Sequence, residues 1–132
     1  MFEGDIYGGN GDLWIKIASQ NHQNADALRK IFSWTAPIPV LRKKVSFGCG
    51  DRLGIATVSH ASLFEKYDAA PVFAQQSVRE LNFTGRTFQS VVDDATFSVF
   101  QAGYEGGFGA DGDHLKHFDD IREAIKAGAT MM

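Results

Sequence analysis

The chain has 132 residues, with 13 Lys and Arg against 16 Asp and Glu for a net charge of −3, which argues against a nucleic-acid binder, since that needs a basic surface to displace counterions from phosphate. Hydrophobic residues at 44% and charged residues at 22% are ordinary globular usage and exclude wholesale disorder, and no apolar run approaches the roughly 18 residues of a membrane span. The opening Met1 to Asp5 carries two acids and no basic region, unlike a signal peptide, and the single Cys49 excludes an internal disulfide and fits a reducing cytoplasm.

Residues 1–44 read as an N-terminal extension. A glycine-rich turn, Tyr7-Gly8-Gly9-Asn10-Gly11, precedes Leu13 to Ile17, whose alternation predicts a short edge strand. Asn24 is the expected N-cap of a helix over Ala25 to Trp34, with Leu28, Ile31 and Phe32 on one face. Pro37 and Pro39 end it and force an extended connection to Val40. The triplet Arg42-Lys43-Lys44 reads as a solvated face.

Residues 45–132 alternate between strand and helix. Val45 to Phe47 and Ile55 to Val58 read as strands around a loop from Gly48 to Gly54, and Ser62 to Tyr67 as a short helix. Pro71 to Gln76 is a compact apolar run of the kind found in buried parallel strands. From Thr87 to Gln101, Phe88, Val91, Val92, Ala95 and Val99 make one continuous apolar helix face. Thr87 caps that helix, with Ser90 in place of the Glu or Gln that completes a capping box. A last helix runs from Phe118 to Ala127, with Asp119 and Asp120 in its first turn, Lys126 in its last and Gly128 just beyond. The apolar run from Ala129 stops at Met132. Alternating strand and helix implies an α/β fold with a parallel sheet covered on both faces. A chain that stops inside its last strand is expected to be the front of a partial (β/α) TIM-like barrel, a fold that takes about 250 residues.

Three stretches carry chemistry. Gly107 to Gly112 spells a GxGxxG, but a helix precedes it and none opens at its last glycine, so dinucleotide binding is not expected. The following Asp111-Gly112-Asp113-His114-Leu115-Lys116-His117 gathers carboxylates and imidazoles, ligand types that suit Mn, Zn or Ni. In an extended segment Asp113 and His114 point to opposite sides, one free to bind metal and the other to act as a base; the alternative is a polar loop that caps the next helix, with His117 at the cap position. Asp51 and Arg52 sit in a glycine-flanked turn, as a surface ion pair or as substrate contacts, and His60 stands alone after a strand as a hydrogen-bonded loop residue. Gln76 and Arg79 follow the buried strand, the catalytic end of such barrels. Arg79 can grip a carboxylate with two N–H groups, or pair with Glu80.

Three blocks, in order, resemble the tagaturonate/fructuronate epimerase family: Gly50-Asp51-Arg52-Leu53-Gly54-Ile55-Ala56-Thr57 with His60; Gln75-Gln76-Ser77-Val78-Arg79-Glu80-Leu81-Asn82 with Thr84-Gly85-Arg86-Thr87; and Gly107-Phe108-Gly109-Ala110-Asp111-Gly112-Asp113-His114-Leu115-Lys116. Val58-Ser59 stands where a Pro-Gly pair would be expected, and His117 where a Thr cap would be. The resemblance implies a longer, cytoplasmic, metal-dependent isomerase that interconverts D-tagaturonate and D-fructuronate in hexuronate catabolism. It implies Asp113 as general base and His114 as the first metal ligand, with the other ligands beyond Met132 and this chain inactive alone. Candidate substrate contacts are Asp51, Arg52, His60, Gln76, Arg79 and Lys116. The inverted carbon lies β to the ketone, beyond the reach of simple enolisation, so retro-aldol cleavage and re-addition is the chemistry expected, with a base on the hydroxyl proton and a Lewis-acid metal. A redox route would need NAD, and a Schiff base on Lys116 is a third route. Expected partners are a small sugar acid and either the remaining barrel segment or a second copy, with no nucleic acid and no membrane. The alternative function is a non-catalytic α/β module that binds a sugar acid.

Overall fold

The alternating run near the N-terminus is one arm of an antiparallel hairpin, in which β1 (Asp5–Gly8) pairs with β2 (Trp14–Ile17). The computed structural model describes residues 1–9 and 11–132, so Asn10 of the expected turn lies outside the described residues. Helix α1 (His22–Ile31) begins before the expected Ala25, because Asn21 and not Asn24 is its cap: the Asn21 side chain accepts from the Asn24 amide at 2.9 Å. Asn24 is instead 1% exposed. Its side chain accepts from the Glu3 amide at 2.7 Å and donates to the carbonyls of Glu3 at 3.0 Å and Ser19 at 2.8 Å. A buried side-chain amide must be paired in this way or lose its desolvation energy. A 3₁₀ turn at Ser33–Thr35 follows, and from Ala36 to Val40 the chain has no helix or strand, as the two prolines require.

Next come β3 (Ser46–Gly48), α2 (Thr57–Phe64), β4 (Ala70–Gln75), α3 (Val78–Thr84), α4 (Phe88–Ala102), β5 (Gly109–Asp111) and α5 (Phe118–Ala127). Strands β3, β4 and β5 are parallel neighbours in chain order, with Ser46 opposite Ala70 and Val72 opposite Gly109. A parallel bridge from Asp111 to Met131 continues the order, so the apolar start after Gly128 does join the sheet. The fold is α/β, and the sheet is not closed: among the described residues nothing pairs with the outer edge of β3. No helix among them is long and apolar enough to cross a membrane.

One expected strand is a helix. Ile55 to Val58 leads into and opens α2, because an apolar run this short carries no period that separates the two states. Thr57 and Ala61, one turn apart, are its buried face, while Ile55 is exposed. Helix α4 has the expected apolar face and a complete capping box after all. The Ser90 hydroxyl accepts from the Thr87 amide at 3.0 Å, and Thr87 accepts from the Ser90 amide at 3.1 Å.

The core lies between the sheet and α4. Phe73 and Phe108 are 2% and 0% exposed and pack with Val91, Val92, Ala95 and Val99. The Phe73 ring lies 5.7 Å from Phe64, 5.6 Å from Tyr104 and 5.8 Å from Phe108 between centroids. On the opposite face Val40 joins Ala70 and Val72, so the proline-flanked connection plugs that side of the sheet. Helix α1 is fastened to α4 by Arg29, which donates to Asp93 at 2.8 Å and to Thr96 at 2.9 Å.

We expect Phe73→Ala to cost about 3–5 kcal/mol and Thr87→Ala about 1 kcal/mol, measured by urea unfolding. A Phe73→Ala loss below that of the cap variant would mean that the core is centred elsewhere.

Candidate functional site

Parallel strands release their loops on one edge, and here that edge carries the loop after Gly48, Gln75 to Ser77, and Gly112 to His117. The edge is tightly drawn together. Gln75 Nε2 donates to Asp111 Oδ2 at 2.9 Å, linking the ends of β4 and β5. The β3 end lies so close that a Cβ at Gly48 would meet the Gln75 side chain at 2.5 Å, and one at Gly50 would meet the Gln75 carbonyl oxygen at 2.8 Å. The backbone approach requires glycine at position 50, while a side chain at 48 would have to displace the Gln75 amide from Asp111.

A cavity of about 560 Å³ opens here, lined among others by Asp51, Arg52, His60, Glu80 and Asp113. Asp51 is the fastener of its own loop, accepting from the amides of Leu53 and Gly54 at 3.0 Å each and of Ala56 at 2.5 Å. Burial pushes its pKa up, but these N–H donors outweigh burial and hold the carboxyl below its ordinary value. Arg52 donates to Glu80 at 2.5 Å across the rim, and that bond is the main cause of a lowered Glu80 pKa. Gln76 is 1% exposed and donates to the Asp51 carbonyl at 3.3 Å, so it backs the cavity wall from behind. His60 corrects the sequence reading: it lies on α2, and its buried Nδ1 has no hydrogen-bond partner.

Asp113 and His114 follow β5 but do not alternate. His114 has a φ of 55°, the one positive φ outside glycine among the described residues, and this turn breaks the extended geometry that would send the two side chains apart. His114 Nε2 lies 3.5 Å from Asp113 Oδ1 instead. Asp113 faces the polar cavity, while His114 lines a neighbouring groove of about 750 Å³ with Arg79, Phe83, Lys116 and His117. Arg79 and Lys116 have no ion-pair partner among the described residues, so the alternative Arg79–Glu80 pair does not form. His117 is the N-cap of α5 and makes no side-chain capping bond.

Two ligand atoms at about 2.1 Å from one ion can stand 3.5 Å apart, and carboxylate with imidazole suits Mn, Zn or Ni. His114 offers one donor, and Asp113 either a second or, left unligated, a base; among the described residues no three His, Cys, Asp or Glu side chains are grouped to hold an ion. Helix α3 and its capping box were missed by sequence reasoning. Ser77 and Glu80 cap reciprocally at 3.3 and 3.4 Å, and the signal was Ser-x-x-Glu with Gly85 closing the helix.

A family model described as tagaturonate epimerase matches residues 3–132. The tagaturonate/fructuronate epimerase of Thermotoga maritima is 49% identical over 115 residues, covering 87% of this chain and 24% of that protein. Crystal structures of fructuronate-tagaturonate epimerase UxaE from Cohnella laeviribosi, native and with one glycerol, match with a TM-score of 0.89 and 41% identity over 98% of this chain and 26% of theirs. The chain spans about a quarter of the length of these relatives.

A depressed folded-state pKa contributes stability that is present above the unfolded carboxylate pKa and lost as pH falls through the folded value. Asp51→Ala should therefore lower stability at pH 7 and flatten the acid limb of the stability–pH curve. Urea titrations at neutral and acidic pH check this; an acid limb as steep as the parent's would show that the backbone contacts of Asp51 carry no stability.

Proposed function

The chain belongs to the tagaturonate epimerase family, and from that premise we propose that it forms the N-terminal part of a cytoplasmic isomerase that interconverts D-tagaturonate and D-fructuronate. Residues 45–132 supply the first βα units of a (β/α) barrel, with residues 1–44 as an extension whose helix α1 lies against α4 and whose Val40 packs on the other face of the sheet. The unbroken chain order of β3-β4-β5, continued by the bridge to Met131, supports this, since a barrel adds each strand beside the last. Later barrel strands cover the free edge of β3, and without them the chain associates and is inactive.

The observation that carries the functional reading is the pair Asp113–His114, side by side at a strand end and opening on two adjoining cavities. Asp113 takes the proton of the hydroxyl on the β carbon, the bond between the α and β carbons breaks, and the resulting aldehyde re-adds on its other face as the proton returns. His114 would be one ligand of a divalent cation, Mn, Zn or Ni, which when bound would supply Lewis-acid polarisation of the ketone. Its other ligands come from outside the described residues. Arg79 and Lys116 receive the carboxylate of the sugar acid, and Arg52 and His60 contact it from the polar cavity, whose wall Asp51 and Gln76 shape.

In the intact gene product we expect His114→Ala to lose bound metal and epimerisation together. Asp113→Asn should keep metal and still stop turnover, because an amide cannot accept the proton. Metal analysis beside a tagaturonate-to-fructuronate assay separates the two. Loss of metal in Asp113→Asn would make Asp113 a ligand, and normal turnover in both variants would overturn the site. Arg79→Met should raise KM by tenfold or more, about 1.5 kcal/mol or more of charge-assisted binding, with kcat preserved; a KM unchanged by the substitution would remove Arg79 from the carboxylate contact.

A further inference from the structure

Thr84-Gly85-Arg86-Thr87 is a stretch that the reaction above does not use. Gly85, at φ 64°, ends α3, and Thr87 caps α4, so Arg86 is fixed at the corner between two helices, its amide donating to the Leu81 carbonyl at 3.0 Å. Its side chain is 13% exposed and points back under the loop after β3. There Nη1 donates to the carbonyls of Asp51 and Arg52 at 3.2 Å each and to Gln76 Oε1 at 3.4 Å, while Nη2 pairs with Asp94. Gly54, at φ 73°, rests on that ion pair: a Cβ there would come 2.5 Å from Asp94 Oδ2 and 3.1 Å from Arg86 Nη2. Asp51 draws in the same loop from its other side through the amides of residues 53, 54 and 56.

Resting on the reading of this cavity as a substrate site, we propose that Arg86 is a positioning residue that clamps the loop of residues 51–56 and thereby sets the wall facing Asp113. Two carbonyls, one side-chain oxygen and one carboxylate converge on a single guanidinium. The two hydrogens of Nη1 are shared among the two carbonyls and Gln76 Oε1 while Nη2 holds Asp94, so the rigid plane of the guanidinium fixes loop and carboxylate at one spacing, which a single ammonium nitrogen does not reproduce. The clamp also orients Arg52, whose carbonyl it holds and whose side chain bridges to Glu80. It acts on binding geometry and not on the reacting bond.

Amide hydrogen exchange in the intact gene product tests the clamp independently of any reaction. Arg86→Met should speed exchange at Leu53, Gly54 and Ala56 by at least tenfold while the Val99 amide in the core of α4 keeps its parent rate. Arg86→Lys, which keeps the charge beside Asp94, should fall between the two and serves if the Met variant does not fold. Parent-like exchange at the three loop amides in a folded variant overturns the proposal. In the epimerase assay Arg86→Met should raise KM about tenfold with kcat within a few-fold of the parent; a loss confined to kcat would count against a positioning role. Absence of epimerisation in the parent protein would overturn the functional reading and leave the exchange result standing.

Discussion

Strand β4 can be buried only because something stands on every side of it. Its residues Ala70 to Ala74 are all buried, so both of its edges and both of its faces need partners. β3 and β5 take the edges, the Phe73 cluster under α4 takes one face, and Val40 with Met131 takes the other. From that single requirement follow the helical crossovers, which bring each strand back parallel to the last, and the gathering of all three loops on one edge. The free outer edge of β3, where Phe47 and the preceding Val45 are exposed, is where the requirement is not met within the described residues.

The polar groups at the strand ends divide into two kinds. Asp51, Gln76, Arg86 and Asp94 are committed to one another or to backbone. His60 Nδ1, Arg79 and Lys116 are uncommitted, and Asp113 and His114 have only each other at 3.5 Å. A rigid frame that leaves a few polar groups without partners is the arrangement a binding site calls for, since those groups can still bond to a ligand.

What could be read from the sequence was decided by length and by chemistry at the ends of elements. The five-membered apolar face of α4 and the compact run around Phe73 are long or strong enough to declare their period, and both were legible. Ile55 to Val58 was not, since a run of four residues satisfies either period, and burial of Thr57 and Ala61 one turn apart is a tertiary outcome. Asn24 was misread because a cap and a buried amide share one residue type; only the tertiary contact with Glu3 distinguishes them. Asp113 and His114 were legible as a pair of donors at a strand end, but their relative direction was not. It hangs on one dihedral angle at His114, which local composition does not encode for a residue other than glycine.

That dihedral angle has a consequence for how the protein would respond to improvement. A histidine in the left-handed region carries backbone strain of about 1 kcal/mol, which glycine would relieve. Position 114 is thus a place where stability and the imidazole are opposed. Variants chosen for heat resistance alone would drift toward glycine there and discard the donor, so any effort to harden this molecule has to seek its gains elsewhere.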